Sequence, residues 1–283
     1  MPTEFPSPGF GTSFESDESH EPLPRLGPVK DTDDVSVTTA AVTAALHVGY
    51  RHIDTADMYG NEQEVRQALE LSELDPDDVF VATKVKPENL AYDDVIGSAE
   101  QSRERLGVET LDLLYLHWPI RTYDPEETLD AFEELYDRGV IERFGLSNFT
   151  PSLLEDALSR LDIPVFAHQV ECHPLLPQQE LRAYAQEHDH YLVAYSPVAK
   201  GAVFDEPVLQ EIAGRHDATP AQVSLAWLHS KERVVPIPRS STAGHIKENF
   251  EAQQLALTDD ELARIDAIET RDRQIDFDDA PWN

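Results

Sequence analysis

Four side chains that could together carry acid–base chemistry lie at or just after the ends of three consecutive predicted strands. Asp54 ends the strand in GYRHIDTADMYGNE and Tyr59 follows five residues later, while Lys84 ends the strand in VFVATKV and His117 the strand in LLYLHWP. An ammonium beside a tyrosine favours the phenolate and lowers the pKa of the hydroxyl from its usual value near 10. A carboxylate paired with the lysine would hold that ammonium in place.

This combination suits the protonation of a carbonyl oxygen as it becomes an alkoxide. The tyrosine would act as the general acid, and the histidine would hydrogen-bond and orient the substrate oxygen. The carbonyl carbon must receive a hydride in the same reaction, and no side chain supplies one. A nicotinamide cofactor does. The four residues therefore predict a carbonyl reductase that uses such a cofactor.

Other polar residues close the remaining predicted strands. Ser147 and Asn148 end FGLSNF, Gln169, Glu171 and His173 lie in AHQVECHP, and Tyr195 and Ser196 lie in AYSP. In a (β/α)₈ barrel the active site is built at the carboxyl ends of the strands. One such residue alone would indicate little, but the whole set favours an active site at this face.

The pattern of elements favours that barrel. Short apolar runs predict strands, and amphipathic stretches predict helices between them. The predicted strands are 9–12, 51–54, 79–83, 112–117, 143–147, 166–170, 191–196 and 234–237. The predicted helices are 39–48, 62–72, 92–106, 125–138, 151–160, 177–187, 206–216, 220–229, 245–253 and 259–269. Eight repeats at about 35 residues each fit a single (β/α)₈ (TIM) barrel domain over residues 1–283. The G-x-G-x-x-G turn of a dinucleotide-binding doubly wound sheet is absent from the sequence.

The chain resembles the aldo-keto reductases over nearly its whole length. The stretches that carry the resemblance are, in order, GFGT, GYRHIDTADMYGNE, VATKV, LDLLYLHWP, GLSNF, HQVECHP, AYSP and IPRSSTAGHIKENF. The resemblance implies a (β/α)₈ barrel that binds NADP(H) without a Rossmann fold. It also implies that Tyr59 is the acid/base, and that Lys84, Asp54 and His117 complete a catalytic tetrad.

The resemblance further assigns a cofactor site. It implies that Ser147, Asn148 and Gln169 hold the nicotinamide carboxamide and that Tyr195 stacks on the ring. Arg239, Ser240, Ser241, His245, Glu248 and Asn249 match the segment around the adenosine 2′-phosphate and adenine. Gly11, Thr12, Asp54, Ser196 and Pro197 complete the predicted cofactor-binding set. Tyr59, His117 and Trp118 are the predicted substrate contacts, with Trp118 as an apolar wall.

Several features depart from the family pattern. GFGT comes almost at once, which leaves no room for the usual N-terminal hairpin, and residues 13–35 predict a long acidic first βα loop. The loop after HWP and the C-terminal tail DFDDAPWN are short. Both shape the substrate pocket in the family, so we expect an open pocket. His245 replaces the usual 2′-phosphate arginine, so we expect NADP(H) to be preferred and NAD(H) to be possible.

Composition restricts the partners and the setting. The chain has 55 Asp and Glu residues against 22 Lys and Arg, a formal net charge of −33, and only six lysines. Such a surface repels nucleic acid and anionic membranes, so we expect neither as a partner. It resembles the surfaces of proteins from salt-loving archaea, where salt screens self-repulsion. With Cys172 as the single cysteine and no signal peptide in MPTEFPSPGFGT, we expect a cytoplasmic protein that is a monomer or weak oligomer.

Two other functions remain open at this point. A protein with the same fold and cofactor could report redox state with little turnover, as some relatives attached to channels do. The intact tetrad favours the enzyme but does not exclude a slow one. A metal-dependent barrel hydrolase or isomerase could use His117, His168 and His173 as ligands. However, the sequence has no H-x-H pair to seed such a site, so we predict no metal.

Overall fold

Eight parallel strands form one sheet in the chain order β1 to β8 in the computed structural model, which describes residues 5–14 and 35–283. The strands are β1 (Phe10–Gly11), β2 (His52–Asp54), β3 (Phe80–Val85), β4 (Leu113–Leu116), β5 (Phe144–Ser147), β6 (Val165–Glu171), β7 (Tyr191–Tyr195) and β8 (Val234–Pro236). Each matches a predicted strand, although β1 is two residues shorter than expected. Most of the predicted 13–35 loop lies outside the described residues.

Backbone hydrogen bonds also join the first strand to the last. The N–H groups of Gly9 and Gly11 donate to the carbonyl oxygens of Pro236 and Pro238 at 3.0 and 3.1 Å. All seven ladders between consecutive strands are parallel. The sheet therefore curls round on itself, as in a (β/α)₈ barrel.

Ten α-helices follow or connect the strands in the described residues. They are α1 (Val37–Val48), α2 (Glu62–Leu71), α3 (Tyr92–Leu106), α4 (Pro125–Asp137), α5 (Pro151–Arg160), α6 (Gln179–Glu187), α7 (Pro207–His216), α8 (Pro220–His229), α9 (Ala243–Glu251) and α10 (Asp259–Asp266). Among the described residues, none is both long and apolar enough to cross a membrane.

Proline and a preceding capping residue set several helix starts. Asp124 accepts the N–H groups of Glu126 and Glu127, and Thr150 and Thr219 cap α5 and α8 in the same way. The predicted start of α6 at residue 177 is wrong. Gln178 adopts a left-handed conformation with φ 46°, so the helix begins only at Gln179.

Two apolar cores lie on the two sides of the sheet. The larger one packs the outward strand residues against the helices. The smaller one fills the barrel interior with Phe80, Ala82, Leu113, Tyr115, Ala167, Val193, Val235 and Ile237. Tyr115 fits inside because its strand partner is Gly145, where a Cβ would come within 2.4 Å of the Tyr115 ring. The interior is therefore packed, and only the ends of the barrel are available for a site.

Phe5 enters the interior core from the N-terminal segment. Its ring lies 4.6 Å from the ring of His52, 4.9 Å from Phe80 and 5.1 Å from Tyr191. Phe5 is itself buried. The N-terminal segment thus contributes the Phe5 ring to the core inside the barrel.

Candidate active site

The ends of β2 and β3 bring Asp54 and Lys84 together in the barrel interior. Lys84 Nζ donates to Asp54 Oδ1 at 2.5 Å and to the carbonyl oxygen of Thr55 at 2.7 Å. The lysine side chain is fully buried and that of Asp54 is 3% exposed. A buried charge must be paired and hydrogen-bonded, and this one is. The ammonium is therefore held at a fixed position below the barrel mouth.

Tyr59 and His117 complete the group that the sequence predicts. Tyr59 ends a 3₁₀ turn, Asp57–Tyr59, and Lys84 Nζ lies 5.2 Å from the centre of its ring. The ring of His117 lies 5.9 Å from that of Tyr59 in an edge-on arrangement. The turn folds the tyrosine back over the strand ends, so the four side chains converge although their strands are separate in sequence.

The pKa of the Tyr59 hydroxyl is raised, against the direction expected from the sequence. Burial around the hydroxyl is the main cause, and the charge of Asp54 acts in the same direction. The ammonium of Lys84 and a hydrogen bond from Ser13 both lower it, as an adjacent cation and donor should. Burial outweighs them, so Tyr59 carries its proton at neutral pH and is in the form that a general acid needs.

His117 is neutral at the same pH. Burial, and then the charge of Lys84, lowers the pKa of its imidazole well below the usual value. Its Nδ1 is buried and has no hydrogen-bond partner among the described residues. A neutral imidazole has one N–H to donate, so His117 can orient an oxygen without competing with Tyr59 for the role of acid.

A second polar cluster lies beside this group at the ends of β5, β6 and β7. Ser147 Oγ donates to the carbonyl oxygen of Gln169 at 3.0 Å, and Asn148 Nδ2 donates to Ser147 Oγ at 3.0 Å. The hydroxyl of Tyr195 donates to Asn148 Oδ1 at 2.8 Å. Ser147, Asn148 and Gln169 are all buried. Buried amides held in fixed orientations suit a ligand carboxamide, so this cluster fits the nicotinamide end of the predicted cofactor.

Gln169 also reaches the first group. Its Nε2 donates to Asp54 Oδ2 at 2.7 Å, so the two oxygens of Asp54 serve Gln169 and Lys84 separately. This leaves the side-chain oxygen Oε1 of Gln169 to accept a hydrogen bond from a ligand amide. Sequence spacing alone did not indicate the link between the two clusters, since Asp54 and Gln169 are 115 residues apart.

The residues predicted to contact the rest of the cofactor lie at the ends of β1, β7 and β8 or just after them. Thr12 Oγ1 donates to the carbonyl oxygen of Asp54 at 3.1 Å, and a Cβ at Gly11 would lie 3.1 Å from the carbonyl oxygen of Ile237. Ser196 has a φ of 47°, and the carbonyl oxygen of Pro197 accepts a hydrogen bond from Ser224 at 2.6 Å.

The predicted 2′-phosphate and adenine residues lie between β8 and α9 and on α9 itself. The guanidinium of Arg239 lies 5.5 Å from the centre of the Phe14 ring, and Ser240 Oγ accepts the N–H of Thr242 at 3.0 Å. Ser241 follows in the same loop, half-buried. On α9, His245 and Glu248 are exposed and Asn249 is half-buried. The predicted adenosine-side residues are therefore gathered on one loop and the helix after it.

Trp118 is covered rather than open. It is 9% exposed, and its ring lies 4.9 Å from that of Phe277 and 5.7 Å from that of Trp282. Both partners belong to the C-terminal tail, which the sequence indicated only as short. The tail is also joined to the loop after β4 by an ion pair between Arg121 and Asp279 at 3.7 Å. Two tail aromatics therefore lie beside Trp118, and its role as an apolar wall of the substrate pocket stays a prediction.

Two of the three histidines considered as metal ligands have hydrogen-bond partners of their own. His168 Nε2 accepts the N–H of Phe149 at 3.3 Å on the outside of the barrel, and His173 bonds to Glu171 at 2.9 Å. Within residues 5–14 and 35–283, no three His, Cys, Asp or Glu side chains are grouped so that they could hold a metal ion.

Two further polar residues, Asn61 and Glu62, support the site and were not predicted. Asn61 accepts a hydrogen bond from Thr55 at 2.8 Å and donates to the carbonyl oxygen of Thr12 at 2.8 Å. Glu62 accepts from Thr83 at 2.6 Å and pairs with Arg105 at 2.6 Å. The signal was available, since Asn61 and Glu62 are two polar residues in the quoted motif YGNE and both are buried.

Comparison with known proteins agrees with this geometry. The profile of the "Aldo/keto reductase family" matches residues 27–270. The chain is 37% identical over 250 residues to the 9,11-endoperoxide prostaglandin H2 reductase of Trypanosoma cruzi, covering 87% of this chain and 88% of the relative. It is 37% identical over 235 residues to the glyoxal reductase of Bacillus subtilis, covering 83% and 84%.

Solved structures give the same result. A putative 2,5-diketo-D-gluconic acid reductase B matches with a TM-score of 0.81 and 35% identity, over 92% of this chain and 86% of that one. An aldo-keto reductase of Bombyx mori in complex with NADP matches with a TM-score of 0.82 and 27% identity, over 96% and 92%. The matching profile, the relatives and the converging side chains lead to one conclusion: the chain belongs to the aldo/keto reductase family of oxidoreductases.

Proposed function

We propose that the protein reduces aldehydes or ketones to alcohols with NADP(H) as hydride donor and Tyr59 as general acid. The observation that carries the proposal is the buried Lys84 ammonium, which is fixed by Asp54 and lies 5.2 Å from the ring of Tyr59. When bound, the cofactor supplies the hydride for the carbonyl carbon. The residues of the chain supply the proton and the geometry.

Each of the four residues has one part in this mechanism. Neutral His117 donates its N–H to the substrate oxygen and positions it beside the Tyr59 hydroxyl. Tyr59 transfers its proton to that oxygen as negative charge develops there. The Lys84 ammonium stabilises the phenolate that remains, and Asp54 keeps the ammonium charged and in place. Asp54, Lys84 and His117 are buried, and their low-dielectric surroundings strengthen these interactions.

NADP(H) is the proposed cofactor, with NAD(H) as a weaker alternative. Ser147, Asn148 and Gln169 would hold the carboxamide, and Arg239 with the loop before α9 would contact the 2′-phosphate. A guanidinium makes charge-assisted, two-pronged hydrogen bonds to phosphate. The exposed His245 stands where relatives in the family have an arginine, so the preference should be moderate.

The names of the relatives indicate a broad class of substrates for the first assays. The relatives include enzymes named glyoxal reductase and methylglyoxal reductase, both of which act by name on small dicarbonyl compounds. We infer that a panel should begin with glyoxal, methylglyoxal and 4-nitrobenzaldehyde. We further propose a single-domain, cytoplasmic, salt-adapted enzyme that is a monomer or weak oligomer.

The test is Tyr59→Phe, which keeps the ring and removes only the proton. General acid catalysis is typically worth about 10²–10⁴-fold, so kcat for NADPH oxidation with 4-nitrobenzaldehyde should fall by that factor. Tyr184→Phe, on α6 outside the barrel, is the matched control and should keep full activity. NADPH should bind both variants alike in a fluorescence titration.

Two outcomes would oppose the proposal. If Tyr59→Phe keeps more than roughly a tenth of the wild-type single-turnover rate, Tyr59 is not the acid. If the wild-type protein binds NADPH tightly but oxidises it with none of the carbonyl compounds, the alternative of a redox-sensing protein with little turnover gains support.

A further inference from the structure

Glu171, at the end of β6, is a buried carboxylate that the catalytic proposal does not use. It is 1% exposed. Its Oε1 accepts the backbone N–H of Gln274 at 2.6 Å, and its Oε2 accepts that of Ile275 at 2.8 Å. The ring of His173 bonds to Oε1 at 2.9 Å. The positions of Gln274 and Ile275, which are 103 and 104 residues away in sequence, therefore depend on this one side chain.

The contact restrains both partners. A carboxylate that is buried without donors is strongly unfavourable, and hydrogen bonds to an ionised acceptor are stronger than neutral ones. If residues 274 and 275 moved away, Glu171 would lose two donors while remaining buried. A third backbone bond, from the N–H of Asp272 to the carbonyl oxygen of Leu175 at 3.0 Å, holds the chain just before them.

We call the contact of Glu171 with the backbone of Gln274 and Ile275 the anchor. The chain beyond it is folded on itself as a small unit, which we call the tail segment (residues 276–283). Asp276 Oδ1 accepts the indole N–H of Trp282 at 2.9 Å and the side-chain amide of Asn283 at 3.0 Å. Arg273, just before the anchor, places its guanidinium 3.9 Å from the centre of the Trp282 ring. The tail segment therefore holds its own shape, and the anchor decides where that shape is placed.

The tail segment reaches the catalytic group through a run of ring contacts. The Tyr59 and His117 rings lie 5.9 Å apart, and His117 and Trp118 lie 6.3 Å apart. Trp118 then contacts Phe277 at 4.9 Å. A displacement of the tail would take the Phe277 ring away from the apolar wall that it forms with Trp118 beside the substrate oxygen site, without touching Tyr59 or His117.

We propose that Glu171 is a positioning residue whose carboxylate fixes the tail segment over Trp118 and thereby sets the preference for bulky apolar carbonyl substrates. This inference rests on the proposed carbonyl reduction. Within the described residues, the hydrogen bonds of the Glu171 carboxylate go to His173, Gln274 and Ile275 and to none of the predicted catalytic or cofactor residues. Its effect should therefore be on the binding of large substrates and not on the chemical step.

The experiment compares a change at each side of the anchor with a matched control. Glu171→Gln keeps one oxygen acceptor and points an NH₂ group at the other backbone donor. Ile275→Pro removes one of the two donors from the tail side, and Ile275→Val keeps it. Glu180→Gln, exposed on α6, controls for the loss of one negative charge. Ile275→Pro still decides the question if Glu171→Gln does not fold, because residue 275 is outside the barrel.

The first readout needs no activity. Acrylamide quenching reports the exposure of the tryptophans, and Trp118 and Trp282 should become more accessible in Glu171→Gln and Ile275→Pro. Trp227, on α8, is fully buried, so its contribution to the fluorescence stays constant. The two controls should quench like the wild type. Unchanged quenching in both anchor variants would overturn the proposal.

The second readout is the split between KM and kcat for two substrates. Aromatic contacts of this kind change affinity by a factor on the order of ten, so KM for 4-nitrobenzaldehyde should rise about that much. KM for glyoxal, kcat for both substrates and the dissociation constant of NADPH should not change. An equal fall in kcat for both substrates would show a general structural role and overturn the proposal.

A double-mutant cycle locates the effect. In a Phe277→Ala/Trp282→Ala background the tail no longer offers either ring to Trp118. Glu171→Gln should therefore add nothing to the KM for 4-nitrobenzaldehyde in that background. A full additional effect in that background would show that Glu171 acts by another route. If the wild type reduces no carbonyl compound at all, the proposed function fails, and the quenching result still decides whether Glu171 anchors the tail.

Discussion

Replacing Asp54 by asparagine should expose how strongly the buried ammonium depends on its partner. Asp54 accepts from Lys84 Nζ on one oxygen and from Gln169 Nε2 on the other. An asparagine has a single oxygen, so its NH₂ group must face one of these two donors. Lys84 meanwhile remains fully buried with its charge. Removal of one partner of a buried ion pair typically costs about 3–5 kcal/mol of unfolding free energy.

The loss of unfolding free energy in Asp54→Asn should also depend on pH. Whether it grows or shrinks as pH rises follows from the pKa of Lys84. Burial lowers that pKa, and the charge of Asp54 raises it above the usual value. In the wild type the stabilisation is present at neutral pH and is lost only as pH rises through the raised pKa. In Asp54→Asn the charge that chiefly raises the pKa of Lys84 is gone, and burial, the largest single influence, lowers that pKa against the smaller opposing effect of Tyr59. We therefore expect the unfolded chain to bind the proton more tightly than the native one. Its stability should therefore increase from pH 7 toward about 10.

Urea unfolding in molar KCl, followed by circular dichroism at pH 7 and pH 9.5, measures both effects. Asp54→Asn should be less stable than the wild type by about 3–5 kcal/mol at pH 7, and the gap should narrow at pH 9.5. Asp156→Asn is the matched control because its pair with Arg160 is on the surface, where screening makes such pairs weak. It should change little at either pH.

A second substitution tests the cause. In Asp54→Asn/Lys84→Met the buried charge is gone, so the double variant should be more stable at neutral pH than Asp54→Asn alone. The reasoning is refuted if the double variant is the less stable of the two. A gap that stays constant between pH 7 and pH 9.5 would equally show that the ammonium is not the source of the loss.

Three further predictions concern acid, salt and cofactor choice. Burial lowers the pKa of His52 to about 4, of His168 to about 3 and of His190 to about 4. The unfolded chain therefore takes up protons before the native protein does as pH falls below about 6.5. Each of these three histidines should lower the free energy of unfolding by roughly 2 kcal/mol at pH 5. Urea unfolding at pH 7 and pH 5 measures the total loss, to which they contribute. The net charge of −33 should make the melting temperature rise steeply from low to molar KCl, and a flat response would remove the salt-adapted interpretation. His245→Arg should tighten NADPH about tenfold and leave NADH nearly unchanged in fluorescence titrations, because only the 2′-phosphate distinguishes them.

The strands and helices could be predicted because each is encoded locally. Strands buried on both faces give apolar runs such as LDLLYLH, and Pro125, Pro151 and Pro220 mark helix starts that the structure retains. The exception is instructive. Pro177 was not the start of α6, because Gln178 turns into the left-handed region and its side chain donates to the carbonyl oxygen of Glu171. A local signal was overruled by a contact that local sequence does not encode.

The candidate site could be predicted in its membership but not in its energetics. The residue types at the strand ends indicated which side chains would meet, since parallel strands end at one face. The direction of the Tyr59 pKa was mistaken because sequence shows the neighbouring lysine but not the degree of burial. The cover of Trp118 could not be predicted for the same reason: it comes from Phe277 and Trp282, more than 150 residues away, and no spacing rule links them.

The acidic residues are of two kinds, a few that are buried and many that are on the surface. Among the described residues the buried acids are Asp54, Glu62, Glu171 and Glu261. Each has defined partners: Lys84 for Asp54, Arg105 for Glu62, the tail backbone for Glu171 and Thr258 for Glu261. Salt screens exposed charges over a few Å but hardly affects pairs inside the protein. The surface acids should therefore govern how stability depends on salt, whereas the ammonium beside Tyr59 and the position of the tail should be nearly independent of it. A salt series in which the melting temperature changes while the KM ratio for large and small substrates stays constant is the expected consequence of that division.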